Sequence, residues 1–468
     1  MAVRIHSARS PVDDHASVGE APPDNRLALL DQAFYEGHRA AGQREVMQVG
    51  WVYERPVDFD QLEDFSQNLG RGLLGRLIER SPLPFGRHRW VAAPPPRRIT
   101  VAEGARPRAE VGDWFDECTQ LPVDPESGPG WRIDVTPLSD GSTAISLVLS
   151  HYVIDGIGGA LAVTEAILKL PRHLGYPPPR SRTPLQALIQ DTRETAQELP
   201  SVARAVVAAA REARRRRDEG DRATPARPIA ATGTDEPVVA PSVWIRFAQD
   251  EWNARAGDLG GTHSTLAAAF TARLDERMGR EHGGVDGVPV LLTLNDRTTA
   301  DDARAIAVKF VRARIGTADI TTNLTGARAA IKAALARAQE TPDEAEELVP
   351  LTPFTPQRAW RQLADYAIDD PEQPAVCSNL GDTGPAAIRP DGTLCDAAFA
   401  RGASQHLTRR RLARIGSQAH VYYGTATEMN MVTIYVCAFR PGAVSTRAEL
   451  RDLVAQVAAD FGLSGRIE

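Results

Sequence analysis

The sequence contains few of the residues that build disulfide frameworks, metal sites and membrane spans. Its four cysteines lie far apart without a C-x-x-C pair, which argues against disulfides and structural zinc and favours a reducing, cytoplasmic location. No apolar run reaches the ~18 residues of a transmembrane helix, and residues 1–25 lack the apolar core of a secretory signal. Only three of the 54 basic residues are lysines, a bias typical of a GC-rich genome such as an actinobacterial one.

The length and charge of the chain limit the classes of protein that it can represent. Its 468 residues are about three times the ~150 that serve as a prior for one domain, so we expect at least two lobes. A formal charge of -7 gives nucleic acid no general reason to bind. A local basic run, Arg211 with residues 214–217, is predicted to be the solvated end of a helix. Contact of this run with a phosphate, an acidic carrier protein or, at most peripherally, a membrane surface stays open.

Shifts in composition divide the chain into four segments, and hydrophobic periodicity predicts a mixture of helix and strand in the two lobes. We expect a disordered tail over residues 1–24, an N-terminal lobe over 25–175, a helical and mobile linker over 176–240, and a C-terminal lobe over 241–468. The spacing predicts helices over residues 25–39, 58–80, 160–170, 264–278, 322–339 and 446–461, and two more in the linker, one from Thr183 and one from Ser201 to Arg217. Strands are predicted over residues 46–53, 288–294 and 305–315 and around Ala419 and Val432.

The most informative stretch is an H-x-x-x-D-G motif that follows a predicted hairpin. Two β-rich runs between Trp131 and His151 flank the turn dipeptide Asp140-Gly141, and the second run ends at His151. Asp155 and Gly156 complete the motif. A strand end before a glycine turn is a place where a rigid scaffold presents a side chain into a cleft. The alternative is a structural histidine whose hydrogen bonds are satisfied at a strand end.

The chemistry of an imidazole at such a place is general base catalysis. A neutral histidine can take a proton from an alcohol or amine that attacks an acyl carbonyl, and can return it to the leaving thiolate. The sequence has no G-x-S-x-G nucleophile elbow, so direct transfer without an acyl-enzyme is expected. Backbone N–H groups in the turn from Gly156 to Gly158 are predicted to approach the oxyanion. No metal and no bound cofactor are predicted.

The motifs resemble those of the chloramphenicol acetyltransferase-like superfamily, which includes condensation domains and the wax ester synthase/diacylglycerol acyltransferase family. The resemblance rests on the stretch from Ser150 to Gly159, on Leu294-Asn295-Asp296-Arg297, and on Cys377-Ser378-Asn379-Leu380-Gly381, in that order. It implies an α/β fold of two lobes with a central cleft or tunnel. Many members have two successive histidines, and here Ser150 replaces the first one.

The resemblance also implies roles for individual residues and for the substrates. His151 matches the catalytic position, and Asp155 is expected to turn away from it and pair with Arg297, although the spacing alone also allows Asp155 to orient His151. The further residues that can contact substrate, or only support loops, are Ser150, Gly158, Asn295, Ser378 and Asn379. The implied donor is acyl-CoA or a phosphopantetheine thioester on a carrier protein, and the acceptor a small-molecule or lipid alcohol or amine. A noncatalytic module that recruits a carrier protein is the alternative.

Overall fold

The structure, a computed structural model, describes residues 24–468 except residues 97, 219–232, 300, 341–343 and 371. The predicted tail therefore lies, apart from Asp24, outside the described residues, and so does most of the polar part of the predicted linker. Among the helices of the described part, none is both long enough and apolar enough to cross a membrane.

Strands and helices are interspersed along the described chain. The strands are β1 (Arg44–Tyr53), β2 (Arg76–Glu79), β3 (Arg89–Ala92), β4 (Thr100–Val101), β5 (Trp131–Pro137), β6 (Thr143–Ser150), β7 (Ser242–Ala248), β8 (Val288–Asn295), β9 (Val308–Ile315), β10 (Ala375–Asp382), β11 (Ala397–Gln405), β12 (Gln418–Ala426), β13 (Met431–Phe439) and β14 (Arg466–Ile467). The α-helices are α1 (Leu29–Ala40), α2 (Phe59–Arg71), α3 (Val111–Gln120), α4 (Gly156–Ile167), α5 (Pro184–Asp218), α6 (Gln249–Asp258), α7 (His263–Arg277), α8 (Thr325–Glu340), α9 (Glu344–Leu348), α10 (Gln357–Ile368), α11 (Gly384–Ala387), α12 (Arg409–Ile415) and α13 (Arg447–Asp460).

The first sheet has the strand order β11-β1-β6-β5-β4 and carries the predicted hairpin. Strands β5 and β6 pair antiparallel from Trp131 opposite Leu149 to Pro137 opposite Thr143. Gly141 in the connecting turn has a φ of 87°, which glycine adopts without steric cost. Every residue of β6 is buried, so this strand is a rigid base for the residue that follows it.

The second sheet has the order β14-β7-β13-β12-β10-β8-β9 and forms the core of the C-terminal part. Helix α7 packs against β8, β10 and β12, and Leu266, Phe270 and Leu274 of this helix are fully buried. Their burial removes large apolar side chains from water, the main favourable term in folding.

One strand from the C-terminal part completes the first sheet. Strand β11 pairs antiparallel with β1, from Ala397 opposite Val52 to Gln405 opposite Arg44. The ring of Phe399 on β11 lies 4.6 Å from that of Trp244 on β7. Residues 397–405 therefore leave the segment predicted as the C-terminal lobe, 241–468, and tie the two sheets together.

Several predicted element boundaries are wrong. The predicted helix 58–80 ends at Arg71, because a glycine-rich turn follows it, and Leu77 lies in β2 rather than on a helix. A Cβ atom at Gly75 in that turn would lie 2.4 Å from the carbonyl oxygen of Gly70, so only glycine fits. The predicted helix 25–39 begins at Leu29, because the backbone of Leu27 still pairs with that of His88 beside β3.

The two helices predicted within residues 183–217 form one 35-residue helix, α5, that continues through Pro200. Proline removes one backbone hydrogen bond of the helix. Ion pairs hold the preceding turns on the N-terminal lobe, and the alanine-rich sequence that follows Pro200 has high helix propensity. Tertiary contacts and propensity together outweigh the proline.

Candidate active site

His151 lies directly after β6, where the central sheet fixes its backbone. Its N–H donates to the carbonyl oxygen of Glu45 on β1 at 3.0 Å. Its ring lies 5.0 Å, between centroids, from the ring of Phe34 on α1, and the residue is half-buried. The strand end and helix α1 thus hold the imidazole in one place.

The hydrogen bond of the imidazole decides which ring nitrogen carries the proton. Nδ1 of His151 lies 3.1 Å from the carbonyl oxygen of Ile154. A carbonyl oxygen only accepts, so Nδ1 carries the hydrogen and Nε2 keeps its lone pair. Burial lowers the pKa of His151, and the neighbouring Asp155 carboxylate opposes that effect only in part. The neutral ring with Nε2 as an acceptor is therefore the form expected near neutral pH.

Asp155 does not orient His151 but pairs with Arg297. Both carboxylate oxygens of Asp155 lie 2.7 Å from Nη1 of Arg297, and the two side chains are 1% and 3% exposed. The N–H groups of Gly158 and Ala307 each donate to the same carboxylate at 2.8 Å. Arg297 Nη2 donates to the carbonyl oxygen of Arg304 at 2.9 Å. The pair expected from the resemblance is present, and it joins the start of α4 to the loop after β8.

The glycines of the motif are fixed by close packing at the start of α4. A Cβ atom at Gly158 would lie 2.8 Å from Cγ1 of Ile154 and 2.9 Å from Nη2 of Arg297. One at Gly156 would lie 3.1 Å from Cδ2 of Leu380. The N–H of Gly158 is already bonded to Asp155, so its predicted approach to an oxyanion is wrong. The N–H groups of Gly156 and Ile157 remain at this helix start, where N–H groups have no partner within the helix.

The other predicted substrate contacts lie at the ends of, or within, three different strands, β6, β8 and β10. Ser150 is buried, and its hydroxyl has no hydrogen-bond partner in the described part of the chain. Asn295 is exposed and accepts from the N–H of Arg297 at 3.1 Å. Asn379 is exposed, accepts from the N–H of Gly381 at 2.9 Å and reaches Ser264 at 3.4 Å, whereas its neighbour Ser378 is half-buried in β10. Asn295 thus stabilises its own loop, whereas Asn379 also lines a cavity between α7, α8 and the second sheet.

An apolar cavity of about 100 Å³ lies beside the motif, between the first sheet, α4 and the ends of β10, β12 and β13. Gly156 and Gly159 of the motif line it, together with Met47 and Leu149 from adjacent strands of the first sheet. Leu380 lines it from the second sheet. The cavity therefore joins the motif to both sheets, and its lining suits an aliphatic chain rather than a charged group.

Two titratable residues beside His151 were missed by the sequence analysis. His38 lies one turn after Phe34 on α1, and the ring centroids of the two are 4.2 Å apart. Glu45 on β1 accepts from the hydroxyl of Ser404 at 2.8 and 2.9 Å, and burial raises the pKa of its carboxyl. The only signal available was spacing: residues four apart share a helix face. Nothing in a strand sequence indicates that its first residues lie beside a histidine 106 positions further along the chain.

The cysteines show no sign of activation. Burial raises the pKa of the Cys377 thiol to about 11 and that of the Cys118 thiol to about 12, so neither forms the nucleophilic thiolate near neutral pH. Within the described ranges, no group of three or more His, Cys, Asp or Glu side chains could hold a metal ion. Within the motif, His151 keeps one ring nitrogen, Nε2, that can accept a proton.

No family model matches the sequence. Two Mycobacterium tuberculosis proteins, from strains CDC 1551 and H37Rv, are each 32% identical to this chain over 187 residues, and their names assign them provisionally as diacylglycerol O-acyltransferases. The match covers 38% of this chain and 36% of each relative, so it spans about a third of the relatives' length.

Three solved structures match nearly the whole chain at low identity. The first condensation domain of the calcium-dependent antibiotic synthetase, in complex with a substrate analogue, is 13% identical with a TM-score of 0.57, over 94% of this chain and 96% of that chain. A mutant starter condensation domain of rhizomide synthetase, in complex with C8-CoA and Leu-SNAC, is 14% identical with a TM-score of 0.53, over 94% of both chains. The wax ester synthase/diacylglycerol acyltransferase of Marinobacter aquaeolei VT8 is 13% identical with a TM-score of 0.52, over 94% of this chain and all of that chain.

Identity at this level is informative about the fold and not about the reaction. The similar structures each cover 94% of this chain, which has two sheets joined by one strand. The predicted resemblance is therefore confirmed: the chain has the two-lobed chloramphenicol acetyltransferase-like fold, shared with condensation domains and with a wax ester synthase/diacylglycerol acyltransferase.

Proposed function

We propose that the protein is an acyltransferase that moves an acyl group from a thioester directly to a hydroxyl or amine, with His151 as the general base. One observation carries the proposal. The Nδ1 atom of His151 is bonded to a carbonyl oxygen, which leaves Nε2 as a proton acceptor on a ring that burial keeps neutral. Asp155 is committed to Arg297, so the base works without a triad.

The proposed reaction has two proton transfers through one nitrogen. Nε2 of His151 takes the proton from the acceptor O–H or N–H as the acceptor oxygen or nitrogen bonds to the thioester carbon. In the tetrahedral intermediate that results, the former carbonyl oxygen carries the negative charge. The C–S bond then breaks, and the proton held on Nε2 passes to the leaving thiolate. The ring ends neutral, so no residue of the protein is consumed.

Two cavities of the structure support direct transfer between two bound substrates. The apolar cavity beside the motif is suited to the apolar part of the acyl group or of the acceptor. A larger cavity of about 420 Å³ lies between α7, α8 and the second sheet, with Arg328 and Lys332 in its lining. Cations at that position would suit the phosphates of a coenzyme A or phosphopantetheine donor.

The comparisons support the same reaction class. The matched mycobacterial proteins are named for acyl transfer to diacylglycerol, and one similar structure holds C8-CoA. The proposal includes both coenzyme A and carrier-protein thioesters as donors, and both alcohols and amines as acceptors. The noncatalytic alternative is not favoured, because a recruiting module has no need of a neutral histidine with a free Nε2.

Mass spectrometry of the purified protein with thioester donors and with alcohols or amines tests the proposal. We expect product only when donor and acceptor are both present. With donor alone, the intact mass of the protein should stay unchanged, because the described site offers a base without an activated nucleophile. A panel of acyl-CoA and acyl-carrier donors that gives no product with any acceptor would contradict acyl transfer. An acyl adduct that forms with donor alone and is discharged by acceptor would contradict direct transfer.

The pKa of His151 predicts how the rate depends on pH. Only the unprotonated ring acts as a base, and burial lowers its pKa from the ordinary 6.5, so activity should persist to more acidic pH than for an exposed histidine. We expect kcat/KM to fall on the acid side with a midpoint below 6.5, measured over a pH range in which circular dichroism stays constant. An acid midpoint at or above 6.5 would contradict the assignment of this limb to His151.

A further inference from the structure

Helix α5 presents an apolar face to solvent along most of its length. Six large apolar side chains on it are between 42% and 66% exposed: Leu185, Leu188, Ile189, Leu199, Val206 and Val207. At 100° per residue, they fall within a sector of about 100° around the helix. Single exposed apolar residues are ordinary, but a continuous stripe of them on one helix face marks an interaction surface.

The opposite side of α5 is fixed to the N-terminal lobe. Asp191 is buried and accepts from Arg182 at 2.7 Å and from Arg89 at 3.2 Å. Glu198 accepts from Arg87 at 2.8 Å and from Arg26 at 3.0 Å. These ion pairs hold the helix in one rotation about its axis, so the apolar stripe faces outward because of the fold and not because the helix is loose.

The charges on α5 are distributed unevenly. The acidic residues Asp191, Glu194 and Glu198 lie on the side that pairs with the lobe. The arginines at positions 193, 204, 211 and 214 are exposed and lie beside the stripe or at its C-terminal end. No acidic residue lies within the sector of the stripe. The solvent side of the helix therefore combines aliphatic side chains with positive charge.

This combination fits the surface of an anionic membrane better than it fits a protein. A helix that lies in a bilayer interface buries an aliphatic face while its arginines reach the lipid headgroups. Protein interfaces are enriched in aromatic anchors, and the stripe has none. A second copy of the chain would bring another set of arginines to a face without acidic partners. Positive charge without negative charge matches anionic lipid instead.

We propose that the outward face of α5 binds the surface of an anionic lipid bilayer. The interaction is peripheral, since the helix stays packed on the lobe through Asp191 and Glu198. Its apolar side chains enter the headgroup boundary and its exposed arginines pair with lipid phosphates. The proposal is independent of the proposed reaction, and it would place the two-lobed body against a membrane from which an apolar substrate can be drawn.

Sedimentation with lipid vesicles tests this proposal on the full-length protein. We expect the protein to sediment with vesicles of equal parts phosphatidylglycerol and phosphatidylcholine, and much less with phosphatidylcholine alone, the difference shrinking as salt is added. The double variant Leu188→Gln and Ile189→Gln should lose more than about tenfold in partitioning, because two exposed aliphatic chains no longer enter the lipid. Arg211→Gln with Arg214→Gln should reduce only the preference for anionic vesicles.

A control variant on the other lobe tests whether binding requires this face of α5. Val285→Gln changes a side chain that is 53% exposed on the C-terminal part and should leave sedimentation unchanged. Acyl transfer to a water-soluble acceptor should be the same in all variants. A lack of acyl transfer would therefore contradict the proposed reaction without bearing on vesicle binding. Wild-type protein that stays in the supernatant with both vesicle types would overturn the proposal. So would light scattering that shows a wild-type dimer, dissociated by the double variant, with no vesicle binding.

Discussion

Replacing His151 with alanine is expected to lower the rate of acyl transfer by about 10²-fold or more, the contribution that a general base commonly makes. The half-buried ring contacts Phe34 and accounts for one hydrogen bond to a backbone carbonyl, so its removal should leave the fold intact. Turnover should be measured with saturating donor and acceptor, and circular dichroism should match that of the wild-type protein.

A second histidine provides the matched control for that variant. His173 is exposed, and His173→Ala should keep full activity. If His151→Ala is folded and retains turnover near that of the wild-type protein, the base is another residue. The first residue to test would then be His38, which lies on the same face of α1 as Phe34.

Breaking the pair between Asp155 and Arg297 is expected to have the largest effect on stability. Removing one partner leaves an uncompensated buried charge, at a cost of about 3–5 kcal/mol in the free energy of unfolding. Asp155→Ala also leaves the N–H groups of Gly158 and Ala307 without their acceptor. Each single variant should therefore lose stability, and it should lose activity because the loop after β8 is no longer fixed to α4.

A double-mutant cycle in urea unfolding measures whether these two residues act as one unit. The double variant should lose much less than the sum of the two single losses, because the second substitution removes a charge that is already unpaired. The exposed ion pair of Arg389 and Glu428 is the control, and its cycle should show little or no interaction between the two substitutions. Additive losses at Asp155 and Arg297 would mean that the pair does not form in solution.

Short-range sequence patterns correctly predicted the features that depend on residues close together in the chain. The turn at Asp140-Gly141 and the alternation around it led to the hairpin and to the place of His151. The end of helix α2 was misplaced because Leu77 continues the helical spacing of the leucines before it, while the packing at Gly75 is a contact between backbones. Pro200 suggested a break that the contacts of Asp191 and Glu198 with another lobe outweigh.

The candidate site was predicted to the extent that its residues lie in the motifs. Asp155 and Arg297 were found because a family resemblance related two motifs 142 positions apart. Glu45 and His38 carry no motif, and they reach His151 only because β1 lies beside β6 and α1 packs over the strand end. The use of the Gly158 N–H by Asp155 is a matter of cap geometry that residue types do not determine.

The pairing of strand β11 with β1 in the first sheet makes the chain hard to divide into two independently folding halves. Cutting the chain between α5 and β7 would yield an N-terminal fragment whose strand β1 has an open edge, since its partner at residues 397–405 belongs to the other fragment. Such an edge is a template for pairing with any other extended chain, and the fragment would be prone to aggregate. The other fragment would expose Phe399 and Trp244, whose aromatic packing needs the first sheet. Folding of either half therefore depends on the other, and a ribosome must release the chain as far as residue 405 before the first sheet can close.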